Sequence, residues 1–388
     1  RTLTLGSSLI VIRPQLTPWS EWSMQTKNFT LNAGGSTIIY FSYGGMNPWG
    51  DNPLKFNNIQ QYGHFNVNGN LSNNKKHEFN LFVSANNLTV SNSLRFIKWE
   101  VTGGYQYRVN AGSTLFVGEL IPANACDGLI YFGSTTNSVK ASIHFENNTT
   151  VNNFIVKDLH SVGTGLVTAN NSVNLGNALN WVFTEKVGRK LYWVGGIGSW
   201  SDIAHWSLSS NGPGGECIPT PLDDVFFDEF SFPFAGASAI IETSTAYAKN
   251  FTIGNVKNRP WIRSQNVENL ELYGNLVLAT KNVCEFSLHR LSLKGNLTTN
   301  TAFFAGQYIN YIEVDGGGKW TLLDSLTCYD LALRNGTLFT NGQSANIHYF
   351  YGSGENTPKR LELANSHWYI SGNFENFSEF NLQGDSIP

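Results

Sequence analysis

Along much of this chain two apolar residues bracket one polar residue, and Asn or Gly ends the run. Leu270-Glu-Leu272-Tyr-Gly274-Asn275-Leu276 and Leu291-Ser-Leu293-Lys-Gly295-Asn296-Leu297 share one pattern, displaced by 21 residues. It continues at Ile312-Glu-Val314, another 21 on, and at Leu331-Ala-Leu333, 19 further. Phe251-Thr-Ile253 precedes it by 19, and Leu361-Glu-Leu363 and Phe380-Asn-Leu382 come later. The N-terminal half repeats less evenly, at Leu3/Leu5, Phe29/Leu31, Phe65/Val67, Leu88/Val90, Tyr107/Val109 and Ile143/Phe145. Alternation with period two predicts short strands with one buried face. No window carries the i, i+3, i+4, i+7 spacing of an amphipathic helix.

The expectation is an all-β chain. A step of 19–21 residues with two inward side chains per strand suits a parallel β-helix, or β-solenoid, with coils of about 20 residues. Equivalent positions of successive coils would then stack about 4.8 Å apart as internal columns. Phe251, Leu270, Leu291, Ile312 and Leu331 are expected in one column. Gly and Asn suit the corners, since both tolerate the left-handed backbone, and Asn amides can bond from coil to coil. A pair of β-sandwiches is the alternative, with hairpin signals at Asn68-Gly69 and Asn335-Gly336, but it does not account for the steady step. A longer repeat aligns residues 1–12 with 359–370 without gaps. It suggests a unit of 358 residues within a longer series.

Composition narrows the class. The 388 residues include 25 Lys and Arg against 28 Asp and Glu, so the basic excess of a nucleic-acid binder is missing. Charged residues make up only 14%, while Asn numbers 46 and Gly 38, so the surface is polar through amides and hydroxyls. No apolar run is long enough for a membrane span. Cys126, Cys217, Cys284 and Cys328 form no CxxC, which leaves two disulfides in any of three connectivities, one disulfide, or four thiols.

The texture changes midway. Arg189-Lys-Leu-Tyr-Trp193-Val-Gly195-Gly196-Ile-Gly198-Ser-Trp200-Ser-Asp202-Ile-Ala-His205-Trp206 leads into Gly214-Gly-Glu-Cys217-Ile-Pro219-Thr-Pro221-Leu-Asp223-Asp224-Val-Phe-Phe227-Asp228. The expected organisation is the end part of one solenoid block over 1–188, a Trp/Gly/Pro-rich junction over 189–232, and the start of the next block over 233–388. Trp193, Trp200, Trp206 and Cys217 are the structural residues of that junction. This segment resembles the giant cell-surface adhesins of Bacteroidetes that the type IX secretion system exports, gliding-motility adhesins among them. The resemblance implies an extracellular, outer-membrane-associated, repetitive adhesin. It implies attachment to a substratum or polysaccharide, gliding motility, and connection to the secretion and gliding machinery through other parts of the chain.

β-Helices also host polysaccharide lyases and hydrolases, which need clustered carboxylates with Arg, Lys or His. Acidic residues gather at Asp223-Asp224, with Asp228 nearby, and no catalytic motif is present, so the chain is read as a non-enzyme. The alternatives are a β-helical polysaccharide-active enzyme and a passive surface-layer or biofilm scaffold. Asp223, Asp224 and Asp228 could give calcium its oxygen ligands, but their spacing fits no EF-hand. They are more simply read as turn-capping carboxylates, so no cofactor is assigned beyond that calcium candidate. Gly316-Gly-Gly-Lys319 precedes Trp320 and is not a P-loop. Ser325 and Ser386 sit in Asp-Ser-apolar triplets of the kind O-glycosylated in Bacteroidetes.

Overall fold

A computed structural model describes residues 1–13, 19–41, 43–50, 52–69, 71, 75–91, 94–123, 126, 128–184, 187–352, 357–375 and 380–383. The chain is an all-β parallel solenoid of about 15 turns, divided into two compact units, Arg1–Lys186 and Val187–Pro388. Among the described residues there is no α-helix, and the one helical turn is a 3-10 turn at Ile203–His205. No described helix is long and apolar enough to cross a membrane.

The first unit is built from two eight-stranded parallel sheets and shorter strands that complete the coil. One sheet stacks Tyr43–Trp49, Phe65–Val67, Leu88–Val90, Gln106–Val109 and Ile130–Ser134 in succession. The other stacks Thr37–Tyr40, Lys55–Gln61, His77–Ser84, Leu94–Thr102, Thr114–Ala123 and Ala141–Phe145. Thr149–Asn152, Val167–Asn170 and Trp181–Phe183 form a third face. Because the pairing is parallel and in register, like side chains meet. Phe65, Leu88, Tyr107 and Phe132 form one internal column. Phe56, Phe79, Phe96 and Val117 form another, with the Phe56 and Phe79 rings stacked 5.0 Å apart. Ile143 and Phe145 do not join the column of Phe65 and Leu88. They stack under Leu115 and Val117 in the second sheet.

In the second unit the column predicted from the 19–21 step is present from Leu270 through Leu291 and Ile312 to Leu331, and it continues to Phe350 and Phe374. Phe251 is not in it. Ala246 pairs with Leu270, while Phe251 lies between Val225 and Leu276 in a neighbouring column. The coils there are 24–26 residues long, so a 19-residue step lands on another strand of the same coil. The long strands Tyr308–Leu322 and Leu326–Phe339 each wrap a corner. Residues 311–314 pair with Arg290–Leu293 and residues 320–322 pair with the strand Asn300–Phe303, the register slipping between Val314 and Lys319.

Corners follow the composition. Among the described residues, nine of the fourteen non-glycine residues with positive φ are Asn, the side chain best suited to that backbone after Gly. One corner carries an amide ladder. Asn250 Nδ2 donates to Asp224 Oδ1 at 2.6 Å, the Asn275 N–H donates to Asn250 Oδ1 at 2.6 Å, and the Thr301 N–H donates to Asn275 Oδ1 at 2.8 Å. Residues 1–12 and 359–370 share local geometry: Ser8 N–H donates to the Leu5 carbonyl at 3.1 Å and Ser366 N–H to the Leu363 carbonyl at 2.9 Å. Cys126 and Cys217 are half-cystines, and Cys284 and Cys328 are buried free thiols.

Candidate functional site

The Trp-rich segment belongs to the second unit. Leu191, Trp193, Trp200, Trp206, Val225 and Phe227 form one continuous core with the coils as far as Leu361. Lys190–Trp193 runs parallel to Asp224–Phe227 on one side. On the other it pairs antiparallel with Trp206–Ser207, the one antiparallel pairing among the described strands. The ladder of the second unit therefore ends in a hairpin. The Trp193 and Trp206 rings meet edge to face at 5.2 Å, and Trp200 and Trp206 at 4.7 Å. All three are fully buried. Trp193 Nε1 donates to the Gly196 carbonyl at 2.9 Å, and Trp206 Nε1 to the Trp200 carbonyl at 2.8 Å. His205 stacks on Trp193 at 4.7 Å with Nδ1 2.7 Å from the Val194 carbonyl. The glycines here are steric requirements: a Cβ on Gly198 would lie 1.9 Å from His205 Nε2, and Gly195 and Gly196 both hold positive φ.

The calcium candidates are committed elsewhere. Asp223 is buried, and both its oxygens are occupied. Oδ1 accepts from Arg189 N–H at 2.8 Å and Nε at 3.2 Å, while Oδ2 accepts from Arg189 Nη2 at 2.9 Å and from Thr220 N–H and Oγ1 at 2.8 Å each. Burial opposes its charge, but the Arg189 guanidinium and these donors outweigh it and hold the carboxyl below its ordinary range. Asp224 caps the amide ladder, and Asp228 accepts from the Phe230 N–H at 3.0 Å in a turn. Among the described residues no three His, Cys, Asp or Glu gather into a group that could hold a metal ion. Ser325 is exposed in the turn after Asp324, whose Oδ1 accepts from the Phe304 N–H at 2.7 Å. Ser386 lies outside the described residues.

The densest group of charges was not singled out from the sequence. It occupies the outward positions of the repeat itself. Glu271, Ser292 and Glu313 stack in register, and Lys294 and Asp315 lie two residues further along the same strands. Lys294 Nζ sits 2.5 Å from Asp315 Oδ2 and 3.7 Å from Glu313 Oε2. Arg334 pairs with Glu313 through Nε and donates to the Tyr311 hydroxyl at 3.2 Å. Ser292 Oγ lies 3.0 Å from Glu313 Oε2 and 3.0 Å from Asn269 Oδ1. Burial works against the Lys294 charge, but Glu271, Asp315 and Glu313 outweigh it and raise its pKa. Burial likewise works against the Glu313 carboxylate, but Lys294, Arg334 and Arg290 hold its pKa down. The Lys294 ammonium and the Glu313 carboxylate are therefore both held in their charged forms. These contacts clamp four successive coils together, and neither Lys294 nor Glu313 is poised near neutrality for proton transfer. The x positions of the apolar-x-apolar pattern were the available signal, once the coil step was known.

Comparison with known proteins finds no matching family model, no similar curated protein and no similar solved structure.

Proposed function

We propose that this chain is a load-bearing segment of a long, repetitive cell-surface adhesin of the type IX-exported kind, attaching cells to substrata or polysaccharide during gliding. The Trp-rich segment supplies the resemblance. The observation that carries the reading is coil-to-coil continuity: in each unit, parallel ladders bond one coil to the next around a continuous apolar core. Bonds between coils point along the stacking direction, so a pull in that direction is shared by all the bonds of a layer. Each is worth about 1 kcal/mol net, and a layer holds many. The charges in the described network are paired with one another, and one corner of the second unit carries a ladder of amides. In this reading the chain acts outside the cell and is not an enzyme.

The test is adhesion under flow. Beads carrying the 388-residue chain are expected to resist shear on glass and on polysaccharide-coated surfaces, where albumin-coated beads wash off. Detachment at the same shear as albumin beads overturns the reading. Release of oligosaccharides from any polymer in a reducing-end assay would replace it with the enzymatic one.

A further inference from the structure

One corner of the second unit turns an unusual number of aromatic rings outward. Over three successive coils, inward pairs bracket two outward residues: Ile309 and Ile312 bracket Asn310 and Tyr311; Cys328 and Leu331 bracket Tyr329 and Asp330; Ile347 and Phe350 bracket His348 and Tyr349. Tyr329 meets His348 at 4.5 Å and Tyr349 at 5.5 Å, and Tyr349 stacks on Tyr351 at 6.0 Å. On the flank, Tyr308, Thr327, Asn346 and Tyr369 stack in register. Tyr308 is 45% exposed, Tyr329 40% and Tyr369 67%.

Cross-strand ring pairs stabilise a sheet, which accounts for Tyr329 against Tyr349. It does not account for Tyr308 and Tyr369, which hold large apolar faces in water at opposite ends of the same column. Contiguous exposed apolar surface rimmed by polar groups marks a binding face. Here the rim is Asn310, Asn346 and Ser371, all exposed, and Ser371 Oγ lies 2.7 Å from His348 Nδ1. Asp330 lies in register between Tyr311 and Tyr349, and one of its carboxylate oxygens meets no hydrogen-bond partner.

We infer that this aromatic corner binds a neutral β-linked polysaccharide, laid along the coil-stacking direction across Tyr308, Tyr329, His348 and Tyr369. The inference rests on the adhesive reading and names the polymer that reading leaves open. The negative face of an aromatic ring attracts weakly positive edges, and the axial C–H face of a pyranose with equatorial hydroxyls presents such an edge. Its hydroxyls need amide and hydroxyl partners on either side, as the rim provides. Three coil steps of about 4.8 Å span roughly 14 Å, and one step is of the order of one sugar ring, so successive rings can meet successive coils. The Asp330 carboxylate disfavours an anionic chain.

The test is affinity electrophoresis in gels containing hydroxyethyl cellulose, dextran or alginate. Hydroxyethyl cellulose is expected to retard the chain, with dextran and alginate much weaker. A Tyr329→Ala/Tyr369→Ala double variant should lose at least tenfold in affinity, and Tyr43→Ala, an exposed ring in the other unit, should lose none. If the double variant does not fold, Tyr369→Ala alone serves, its ring being two-thirds exposed. No retardation by hydroxyethyl cellulose, a preference for alginate, or retardation unchanged by the substitutions overturns the inference. So does a dimer in size exclusion that the double variant abolishes, since a second copy would then occupy the face. The bead assay separates the two readings. Adhesion indifferent to the double substitution keeps the adhesin and removes this corner. Polysaccharide binding by a chain whose beads wash off keeps the corner and removes the adhesin.

Discussion

His77 is buried, and its Nδ1 accepts from the Leu54 N–H at 3.1 Å. That bond needs the neutral ring, and burial pushes the pKa down from 6.5 to about 4. A base with a depressed folded pKa stabilises the fold fully above its unfolded pKa, and that contribution is lost as pH falls from 6.5 toward about 4. We expect the first unit to lose up to about 3 kcal/mol across that window. Urea midpoints measured from pH 7 to pH 4, with His77→Gln flattening the slope, check it. Asp223 works in a lower window: its folded pKa is depressed, so its contribution is present above 3.8 and is lost as pH falls through the folded value. Asp223→Asn should cost about 3–5 kcal/mol at pH 7, because it removes the buried carboxylate that pairs with the Arg189 guanidinium, and a thermal melt of the variant reads this directly. The thiols give a third residue-scale expectation. Burial pushes Cys284 up to about 12 and raises Cys328 as well, so neither is a thiolate at neutral pH. A thiol-reactive dye should label neither in the native chain and both after unfolding without reductant; native labelling would place them in contact with solvent.

At the scale of the element, the sequence was most legible where coils are of even length. Leu270, Leu291, Ile312 and Leu331 are successive apolar residues at steps of 21, 21 and 19, and they stack as the step predicts. Phe251 misled because its own coil is longer and two strands of one coil carry the same apolar-x-apolar signature. The ion-pair network was missed because its members are 21 residues apart in sequence and meet only across coils. No local spacing marks Glu271, Ser292 and Glu313 as neighbours. The Trp-rich segment was visible as texture, but that it forms the hairpin end of the second unit's ladder depends on one antiparallel pairing. We expect Trp206→Ala to cost about 3–5 kcal/mol, as for other fully buried aromatics. Asn250→Ala, which removes two ladder bonds, should cost about 1–3 kcal/mol. Melting temperatures of the two variants check both, and an Asn250→Ala melt equal to wild type would show that the amide ladder contributes nothing.

At the scale of the whole molecule, the two units have separate apolar cores, and each described sheet lies within one unit. In a solenoid, stability is close to a sum of coil terms and nearest-neighbour terms, so a lesion should be felt by the coils that share its core. Phe79→Ala removes a ring that touches Phe56, Phe82 and Phe96 in the first unit. Leu291→Ala opens the column between Leu270 and Ile312 in the second. Each should cost about 2–5 kcal/mol at its own site. Calorimetry of the intact chain is then expected to show two transitions, the Phe79→Ala variant lowering one and the Leu291→Ala variant the other. A single transition that both substitutions shift equally would mean that the cores unfold as one cooperative body.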